Sequence, residues 1–301
     1  MKGILLAGGT GSRLYPITKV ISKHLLPVYN KPMIYYPLSM LMLAGIRDIL
    51  LITNPQYLDL YESLLGDGSR FGISISYKVQ DSPRGIADAF VLGRDFIGLD
   101  SVCLVLGDNI FHGHHIPEIL QKARNRIEDS NGAMIFGHSV SNPCDYGVIE
   151  IDTKGDVLSI EEKPQDPKSN YAAVGLYMYD NNVLEYVKHL TPSARGELEI
   201  TSLNQLYLEN SSLNVVVMGR GIAWFDAGNC DSLFRVSAFV QNIEKRQGLK
   251  ISCLEEIAYY LGYISKEQLE KISSDIPHSE YTNYLLGHEK TQNKILNEMQ
   301  T

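Results

Sequence analysis

The sequence has few cysteines, and none is placed as a redox or metal motif requires. Its 301 residues include four cysteines, and no two of these form a C-x-x-C pair. That spacing is typical of zinc sites and of disulfide oxidoreductases, so neither class is indicated. Cys103 lies inside an apolar run, where a thiol is a small core residue. We therefore expect a reduced protein of the cytoplasm.

Positive charge and long apolar runs are also scarce. The formal net charge is −8, whereas surfaces that bind nucleic acid or anionic membranes are expected to be basic. The longest apolar stretch, from Met33 to Ile46, is interrupted by Pro37 and Ser39 and is too short to span a bilayer. The N-terminus enters a strand pattern almost at once, without a secretory signal. We predict neither a nucleic-acid partner nor a membrane partner.

Two familiar phosphate-binding motifs are absent from the glycine-rich stretch near the N-terminus. The dinucleotide fingerprint requires a third glycine where this chain has Leu14. The P-loop requires Gly-Lys-Ser/Thr, whereas the last glycine here is followed by Ser12 and Arg13. Neither an NAD-dependent oxidoreductase nor a P-loop nucleotidase is therefore indicated.

That stretch nevertheless carries the components of a polyphosphate site. An apolar run at 4–6 is typical of a buried strand, and the glycines after it allow a sharp turn that brings backbone N–H groups close to a ligand. Arg13 adds a planar cationic fork that suits phosphate oxygens, and Lys23 adds a mobile point charge. A tight strand-to-helix turn without a ligand is the alternative. The glycines are Gly8, Gly9 and Gly11.

Strand and helix patterns alternate through the first hundred residues. This alternation predicts an α/β fold, with a mostly parallel, doubly wound sheet and helices on both faces. The first helix is expected to open at Lys31, with Pro32 in its first turn, and to close at Gly45. The other predicted strands are 48–53, 73–79 and 102–106, and the other helices are 57–65 and 85–97.

The pattern changes after residue 132. Strands predominate up to residue 218, which predicts a mixed sheet, and the chain past Asp231 is mainly helical. The polar segment 287–301 is expected to fray. The predicted strands are 134–140, 147–152, 157–161, 173–179 and 215–218, and the helices are 196–209, 254–261 and 266–272.

Two carboxylates are predicted at strand ends. Asp108 follows the strand at 102–106, and ligands of open parallel sheets bind outside the carboxyl ends of strands, where the glycine loop also lies. Asp226 follows two bulky apolar residues and precedes a turn with Gly228, which indicates a fixed side chain. Two such acids suit Mg²⁺, which prefers oxygen ligands and keeps phosphate oxygens in its shell. A helix cap is the alternative for Asp108.

Further polar residues are expected where later strands end. Lys163 suits a phosphate and Glu162 suits sugar hydroxyls, since adjacent strand residues point to opposite faces. An exposed charged turn is the alternative. Arg195 precedes a helix and is a second candidate for a phosphate, and the turn at 145–147 could line a sugar pocket.

Gln80 is a candidate for reading a nucleobase. It ends a predicted strand, and its paired donor and acceptor match a pyrimidine edge, although an ordinary loop residue is the alternative. The histidines at 112, 114 and 115 are interpreted as part of a solvated turn rather than as a zinc site.

Seven blocks of the sequence, in the same order, resemble the glucose-1-phosphate thymidylyltransferases, a family of sugar nucleotidyltransferases. The resemblance runs from Lys2 to about Tyr284, and several long blocks are more specific than one glycine motif. The blocks are LAGGTGSRL at 6–14, SKHLLPV at 22–28, KPMIYYP at 31–37, LGDN at 106–109, EEKP at 161–164, RGELEIT at 195–201 and MGRG at 218–221.

This resemblance implies a role for each candidate residue. Asp108 and Asp226 would bind Mg²⁺, and Arg13 and Lys23 would hold a triphosphate. The implied catalytic set is Arg13, Lys23, Asp108, Lys163 and Asp226. The implied nucleotide-binding set is Leu6, Gly8, Gly9, Gly11, Gln80, Pro83, Gly85 and Asp108. The implied sugar-phosphate set is Tyr146, Gly147, Glu162, Lys163, Val174, Gly175 and Arg195.

The resemblance also implies an architecture. We expect a Rossmann-like, three-layer nucleotidyltransferase fold with a smaller β-rich sugar-binding part. The transferase domain would span 1–238, with a nucleotide-binding half at about 1–130 and a sugar-binding half at about 131–238. A helical extension with a polar tail would follow at 239–301. Members of this family are homotetramers that dTDP-sugars inhibit at a second site.

The implied reaction converts dTTP and glucose 1-phosphate into dTDP-glucose and pyrophosphate, the first step toward dTDP-rhamnose and other deoxysugars. A transferase for UTP or another hexose 1-phosphate, and a non-catalytic nucleotide-sugar sensor, are the alternatives. The chain departs from the usual family pattern at Ser12, Asn30, Arg84 and the segment 225–230. At position 84 this chain has Arg where the family often has Asp, next to the base pocket. Among the implied properties, the selectivity for the base is therefore the one that these departures are expected to affect most.

Overall fold

Residues 1–287 are described by the computed structural model of the chain. The polar tail predicted at 287–301 lies outside these residues, apart from Gly287. The strands are β1 (Lys2–Ala7), β2 (Pro27–Val28), β3 (Lys31–Pro32), β4 (Asp48–Thr53), β5 (Ser74–Val79), β6 (Val102–Leu106), β7 (Asn109–Gly113), β8 (Ala133–Ser139), β9 (Gly147–Ile151), β10 (Val157–Glu162), β11 (Tyr171–Tyr179), β12 (Leu213–Met218) and β13 (Ile222–Asp226). The α-helices are α1 (Tyr35–Leu43), α2 (Leu58–Leu65), α3 (Asp88–Leu92), α4 (Arg94–Ile97), α5 (Ile116–Ser130), α6 (Val183–Tyr186), α7 (Ile200–Glu209), α8 (Cys230–Gln247), α9 (Leu254–Tyr260), α10 (Lys266–Asp275) and α11 (Glu280–Leu286).

A nine-stranded mixed sheet forms the centre of the fold. Its order is β10-β9-β11-β6-β1-β4-β5, and β8 pairs with β11 and with β12. The strands β4, β5 and β6 run parallel to β1. Strand β11 is antiparallel to β6, β8 and β9, and β12 is parallel to β8, so β8, β9 and β12 run in the same direction as β1. Only β10 and β11 of this sheet therefore run the other way, which confirms the mostly parallel sheet that the sequence predicts.

Helices cover both faces of the sheet, which confirms the three-layer α/β fold. Because side chains alternate along a strand, β1 contributes to two cores: Leu5 packs with α1 on one face, and Ile4 packs with Phe90 of α3 on the other. All three side chains are fully buried. Each such burial stabilises the fold by about 2 kcal/mol.

Several local predictions are wrong at element ends. Pro32 lies in β3, opposite Pro27 of β2, and α1 begins only at Tyr35. The helix predicted over 85–97 is two short helices interrupted at Gly93, where a Cβ would lie 3.0 Å from the Ile4 side chain. Helix α5 and the strand β7 are not predicted at all, and β13 is implied only by the prediction that Asp226 ends a strand. His112 lies in β7 rather than in a turn.

The small antiparallel sheet formed by β7 and β13 positions the site. Asp226 at the end of β13 lies opposite Asn109, which begins β7. The Ala227 N–H then donates to the Asp108 carbonyl oxygen at 2.9 Å. Two aspartates that are far apart in sequence are thereby brought to the carboxyl end of β6.

The last part of the described chain is helical, as predicted. Helix α8 begins at a capping box between Asn229 and Ser232 and continues to Gln247, so the predicted division at 238/239 falls within it and stays a prediction. Among the helices of residues 1–287, none combines the length and the hydrophobicity that a bilayer crossing requires.

Candidate active site

The glycine loop forms one wall of the candidate site at the carboxyl end of β1. Gly9 and Gly11 adopt φ angles of 93° and 61°, a left-handed conformation in which side chains with a Cβ are strained. Gly8 is required for a different reason, because a Cβ there would lie 2.7 Å from Gln80 Oε1. The loop therefore passes close to Gln80 before it reaches the exposed Arg13.

An ion pair joins the second cation to the first carboxylate. Lys23 Nζ lies 2.5 Å from Asp108 Oδ2, and Asn109 Nδ2 donates to Asp108 Oδ1 at 3.0 Å. Burial opposes the ionisation of Asp108, but the combined effect of Lys23, His24 and the hydrogen bond from Asn109 outweighs it and holds the pKa of this carboxyl well below its usual range. Asp108 is thus held as a carboxylate, with both oxygens already oriented.

His24 connects the ends of β1 and β6, a role that the sequence does not reveal. Its ring is buried, hydrogen-bonds to the carbonyl of Ala7 and packs on Gly107, where a Cβ would lie 2.6 Å from the ring. Burial, and then the nearby charge of Lys23, lower the pKa of His24 to about 3. A neutral imidazole thus lies between the glycine loop and the residue before Asp108.

Asp226 and Arg13 meet at Gly228. A Cβ on Gly228 would lie 2.6 Å from Arg13 Nη2 and 2.9 Å from Asp226 Oδ1, so the missing side chain makes room for both groups. Asp226 Oδ1 is buried, and none of residues 1–287 hydrogen-bonds to it. Burial, and then repulsion from Asp108, raise the pKa of Asp226 to about 6. The second carboxylate therefore lies near the first, and the charges of Lys23 and Arg13 offset its raised pKa only in part.

This pair of carboxylates fits a divalent cation. A buried oxygen without a partner is costly, and a shared cation would satisfy it and relieve the repulsion between the two acids. No group of three or more His, Cys, Asp or Glu residues within 1–287 could hold a metal. Asp108 and Asp226 would therefore need oxygen ligands from a bound phosphate, as Mg²⁺ sites on nucleotides commonly have.

Asn109 holds the pieces of this centre together. Its Oδ1 accepts from Trp224 Nε1 at 2.7 Å and from the Gly175 N–H at 2.9 Å, while its amide donates to Asp108. A Cβ on Gly175 would lie 2.7 Å from the Asn109 side chain. Gly175, predicted to line the sugar pocket, is therefore also needed for the close approach of β11 to β7.

The predicted sugar-phosphate residues cluster around Glu162. Thr201 Oγ1 donates to Glu162 Oε2 at 2.5 Å, and Arg195 Nη2 lies 3.3 Å from Glu162 Oε1. The same guanidinium pairs with Glu199 at 2.9 Å. A Cβ on Gly147 would lie 3.6 Å from Glu162 Oε2. The structure thus brings Glu162, Gly147 and Arg195 together and adds Thr201, which the sequence does not single out.

Two other predicted sugar-pocket residues also lie close to these. The Lys163 N–H donates to the carbonyl of Tyr146 at 3.0 Å, and Lys163 has a left-handed φ of 44°. The Tyr146 ring packs against Trp224 with centroids 5.1 Å apart. Val174 is different, because its side chain is fully buried in the core and only its backbone can face a ligand.

The predicted base-binding loop is anchored to Leu198, in the predicted sugar-binding half. Gly85 has a φ of 100°, and a Cβ there would lie 2.4 Å from the Leu198 carbonyl oxygen. The Leu198 N–H donates to the Arg84 carbonyl at 2.7 Å, and the Ala87 N–H donates to the Leu198 carbonyl at 3.1 Å. Pro83 is exposed at the tip of this loop. The loop therefore has a fixed backbone that borders Gln80.

Comparison with known proteins decides the family. The family model described as nucleotidyl transferase matches residues 2–243. The chain belongs to the nucleotidyl transferase family. A glucose-1-phosphate thymidylyltransferase of Neisseria meningitidis serogroup A is 56% identical over 286 residues, which are 95% of this chain and 98% of the relative.

Solved structures agree with this family assignment. A protein of Bacillus anthracis, described as a candidate glucose-1-phosphate thymidylyltransferase and solved with sucrose, superposes with a TM-score of 0.73 at 46% identity. The match covers 79% of this chain and 94% of that chain. A UDP-glucose pyrophosphorylase solved with UDP-glucose has a TM-score of 0.69 over 80% of this chain and 98% of its own. Its identity of 23% supports the nucleotidyl transferase fold alone.

Proposed function

We propose that this nucleotidyl transferase is a glucose-1-phosphate thymidylyltransferase, which makes dTDP-glucose and pyrophosphate from dTTP and glucose 1-phosphate. The observation that carries the proposal is the convergence of Arg13, Lys23, Asp108 and Asp226 beside the glycine loop. Two cations and two carboxylates at one strand end suit a triphosphate with its cation. The similarity to curated thymidylyltransferases over 95% of the chain supports this choice of substrates.

The proposed reaction is an in-line displacement. A phosphate oxygen of glucose 1-phosphate forms a bond to the α-phosphorus of dTTP, the bond to the β-phosphate oxygen breaks, and pyrophosphate leaves with the electron pair. A phosphate dianion is already nucleophilic, so this step requires no general base. The protein must therefore position two anions and neutralise their charge.

The cations divide this task between them. Arg13 and Lys23 are proposed to stabilise the charge on the departing pyrophosphate. Although Lys23 is paired with Asp108, its ammonium has three donors and can bind a phosphate as well. Lys163 and Arg195 are proposed to hold the sugar phosphate, and Arg195 has enough N–H groups to keep its carboxylate partners at the same time.

Glu162, Tyr146 and the backbone of Val174 and Gly175 are proposed to line the glucosyl pocket. The fixed carboxylate of Glu162 suits a sugar hydroxyl, since Thr201 holds its other side. Mg²⁺ is the proposed cation of Asp108 and Asp226, and it would supply charge neutralisation at the phosphates.

The remaining proposals rest on the resemblance to the family. They are a homotetramer, a second site at which dTDP-sugars inhibit and the division into 1–238 and 239–301. A place in the cytoplasm is proposed from the cysteine pattern of the sequence. Sedimentation of the purified protein tests the first, and inhibition by dTDP-rhamnose at saturating dTTP tests the second.

The function is tested by measuring pyrophosphate release with glucose 1-phosphate and Mg²⁺. Separate reactions use dTTP, UTP, ATP, CTP and GTP, and we expect the fastest release with dTTP. Asp226→Asn should lower turnover by about a hundredfold or more, the scale for removing one group that stabilises charge in the reaction. Asp231→Asn, an exposed acid at the start of α8, is the matched control and should leave turnover unchanged. If no nucleotide gives pyrophosphate release while dTTP still binds, the protein is a non-catalytic nucleotide-sugar sensor instead.

A further inference from the structure

A buried carboxylate behind Gln80 is not used by the proposed mechanism. Asp88 is the first residue of α3, and its side chain is 2% exposed. It accepts a hydrogen bond from Gln80 Nε2 at 2.8 Å. Arg84 Nη2, from the loop four residues before Asp88, lies 3.0 Å from its other oxygen in an ion pair. Asp88 is therefore a carboxylate with partners on both oxygens.

This arrangement determines how the Gln80 amide is oriented. A carboxylate only accepts hydrogen bonds, so the Gln80 NH₂ must face Asp88, because the flipped amide would place two acceptors against each other. Gln80 Oε1 then faces the opposite way, toward the glycine loop, 2.7 Å from the position of a Cβ on Gly8. Among residues 1–287, none donates a hydrogen bond to this oxygen.

The direction of Gln80 has a consequence for the choice of base. Thymine and uracil carry a donor at N3, whereas cytosine carries an acceptor there. A fixed carbonyl oxygen attracts the former and repels the latter, but an amide free to flip would accommodate both. The adjacent loop is held by the contacts of Arg84 and Ala87 with Leu198, so it cannot readily follow a change at Gln80.

We propose that Asp88 is a positioning residue that sets base selectivity by locking Gln80 with its carbonyl oxygen toward the base. Arg84 neutralises Asp88 from the solvent side, with its own side chain 57% exposed. The inference rests on the proposed function, because it assumes that the base of the nucleotide lies beside Gln80 and Gly8.

Selectivity is measured as the ratio of kcat/KM for dTTP to kcat/KM for dCTP. Asp88→Asn has nearly the same shape but can donate as well as accept, which allows Gln80 to flip. We expect the ratio to fall about tenfold or more, the scale of one neutral hydrogen bond, mainly through a higher KM for dTTP. Asp95→Asn, which makes the same replacement at an exposed acid in the first turn of α4, is the matched control and should change the ratio less than about threefold.

A second pair of variants separates positioning from a general loss of structure. In a Gln80→Leu background the amide is absent, so Asp88→Asn should no longer change the ratio. Asp88→Ser, whose hydroxyl also donates and accepts, should relax selectivity in the same direction and replaces Asp88→Asn if that variant does not fold. A folded Asp88→Asn enzyme with the wild-type ratio and the wild-type KM for dTTP would overturn the role of Asp88 alone. A wild-type enzyme that uses dCTP as well as dTTP would overturn the proposed base specificity together with it.

Discussion

Gly228 provides a sharp test of the proposed active site, because the perturbation is a single methyl group. In Gly228→Ala the new Cβ would lie 2.6 Å from Arg13 Nη2 and 2.9 Å from Asp226 Oδ1, closer than such contacts allow. Gly228 is not among the glycines with positive φ, so alanine causes no backbone strain there. Arg13 is exposed and has a long side chain, so its guanidinium, rather than the backbone, should move.

The expected effect on catalysis follows from losing the position of one cation. Displacing a group that stabilises the charge of the transition state costs about 3–4 kcal/mol, or roughly 10²–10³ in kcat. The free energy of unfolding should change by less than about 1 kcal/mol, because Arg13 can move into solvent. Pyrophosphate release measures the first quantity, and urea unfolding followed by circular dichroism measures the second.

Two comparisons make this prediction decisive. Gly219→Ala is the matched control, since a Cβ there meets no atom within 4 Å, and it should leave kcat unchanged. Arg13→Ala should itself lower turnover about a hundredfold or more, and adding Gly228→Ala to it should cost little further. A folded Gly228→Ala enzyme with a normal kcat would refute the adjacency of Arg13 and Asp226 as the basis of their roles.

Further predictions concern the cation, acid stability and a buried ion pair. Removing divalent cations with EDTA should abolish pyrophosphate release, and added Mg²⁺ should restore it; activity that persists in EDTA would argue against a cation at Asp108 and Asp226. Because His24 has a pKa of about 3 when folded, compared with 6.5 when unfolded, the unfolded state binds more protons below pH 6.5. The free energy of unfolding should therefore fall as the pH is lowered, and His24 should account for about 2 kcal/mol of the loss between pH 7 and pH 5. His24→Gln should lack this part of the loss, and equal acid sensitivity of the wild type and His24→Gln would contradict the assignment. Lys31 Nζ lies 2.7 Å from Glu244 Oε1, and the two side chains are 1% and 4% exposed. Lys31→Met leaves a buried charge without its partner and should lower the free energy of unfolding by about 3–5 kcal/mol, measured by urea unfolding. The double variant Lys31→Met with Glu244→Gln should recover part of that stability.

The sequence predicts most of the central sheet because its strands are long apolar runs bounded by glycine and polar residues. The segments 48–53 and 102–106 are predicted to the residue. Element starts are less well predicted, since they depend on tertiary pairing: Pro32 suits a helical first turn, but its pairing with Pro27 places it in a strand. The strand β7 escapes prediction because Asn109 and Gly113 at its ends weaken the apolar pattern.

The residues of the candidate site also differ in whether they can be predicted from the sequence. Residues that carry charge beside a glycine motif, such as Arg13 and Asp108, can be proposed from the sequence, because few other roles suit those residue types there. Residues that act through another side chain cannot be identified in this way. From the sequence, Asp88 is an ordinary acid in the first turn of the helix predicted over 85–97, and His24 is one polar residue within the block at 22–28. Their roles become visible only when their partners are seen in space.

The sheet formed by β7 and β13 explains why the two aspartates need this fold rather than a local motif. Asp108 follows β6 directly, whereas Asp226 reaches it only because β13 pairs with β7 and the Ala227 N–H donates to the Asp108 carbonyl. Asn109, between Asp108 and this pairing, also binds Trp224 and Gly175, so the same residue ties the carboxylates to the wall of the proposed sugar pocket. A cation held by Asp108 and Asp226 would therefore be linked to both proposed substrates through one amide side chain, which makes Asn109 as necessary to the site's geometry as the carboxylates are to its charge.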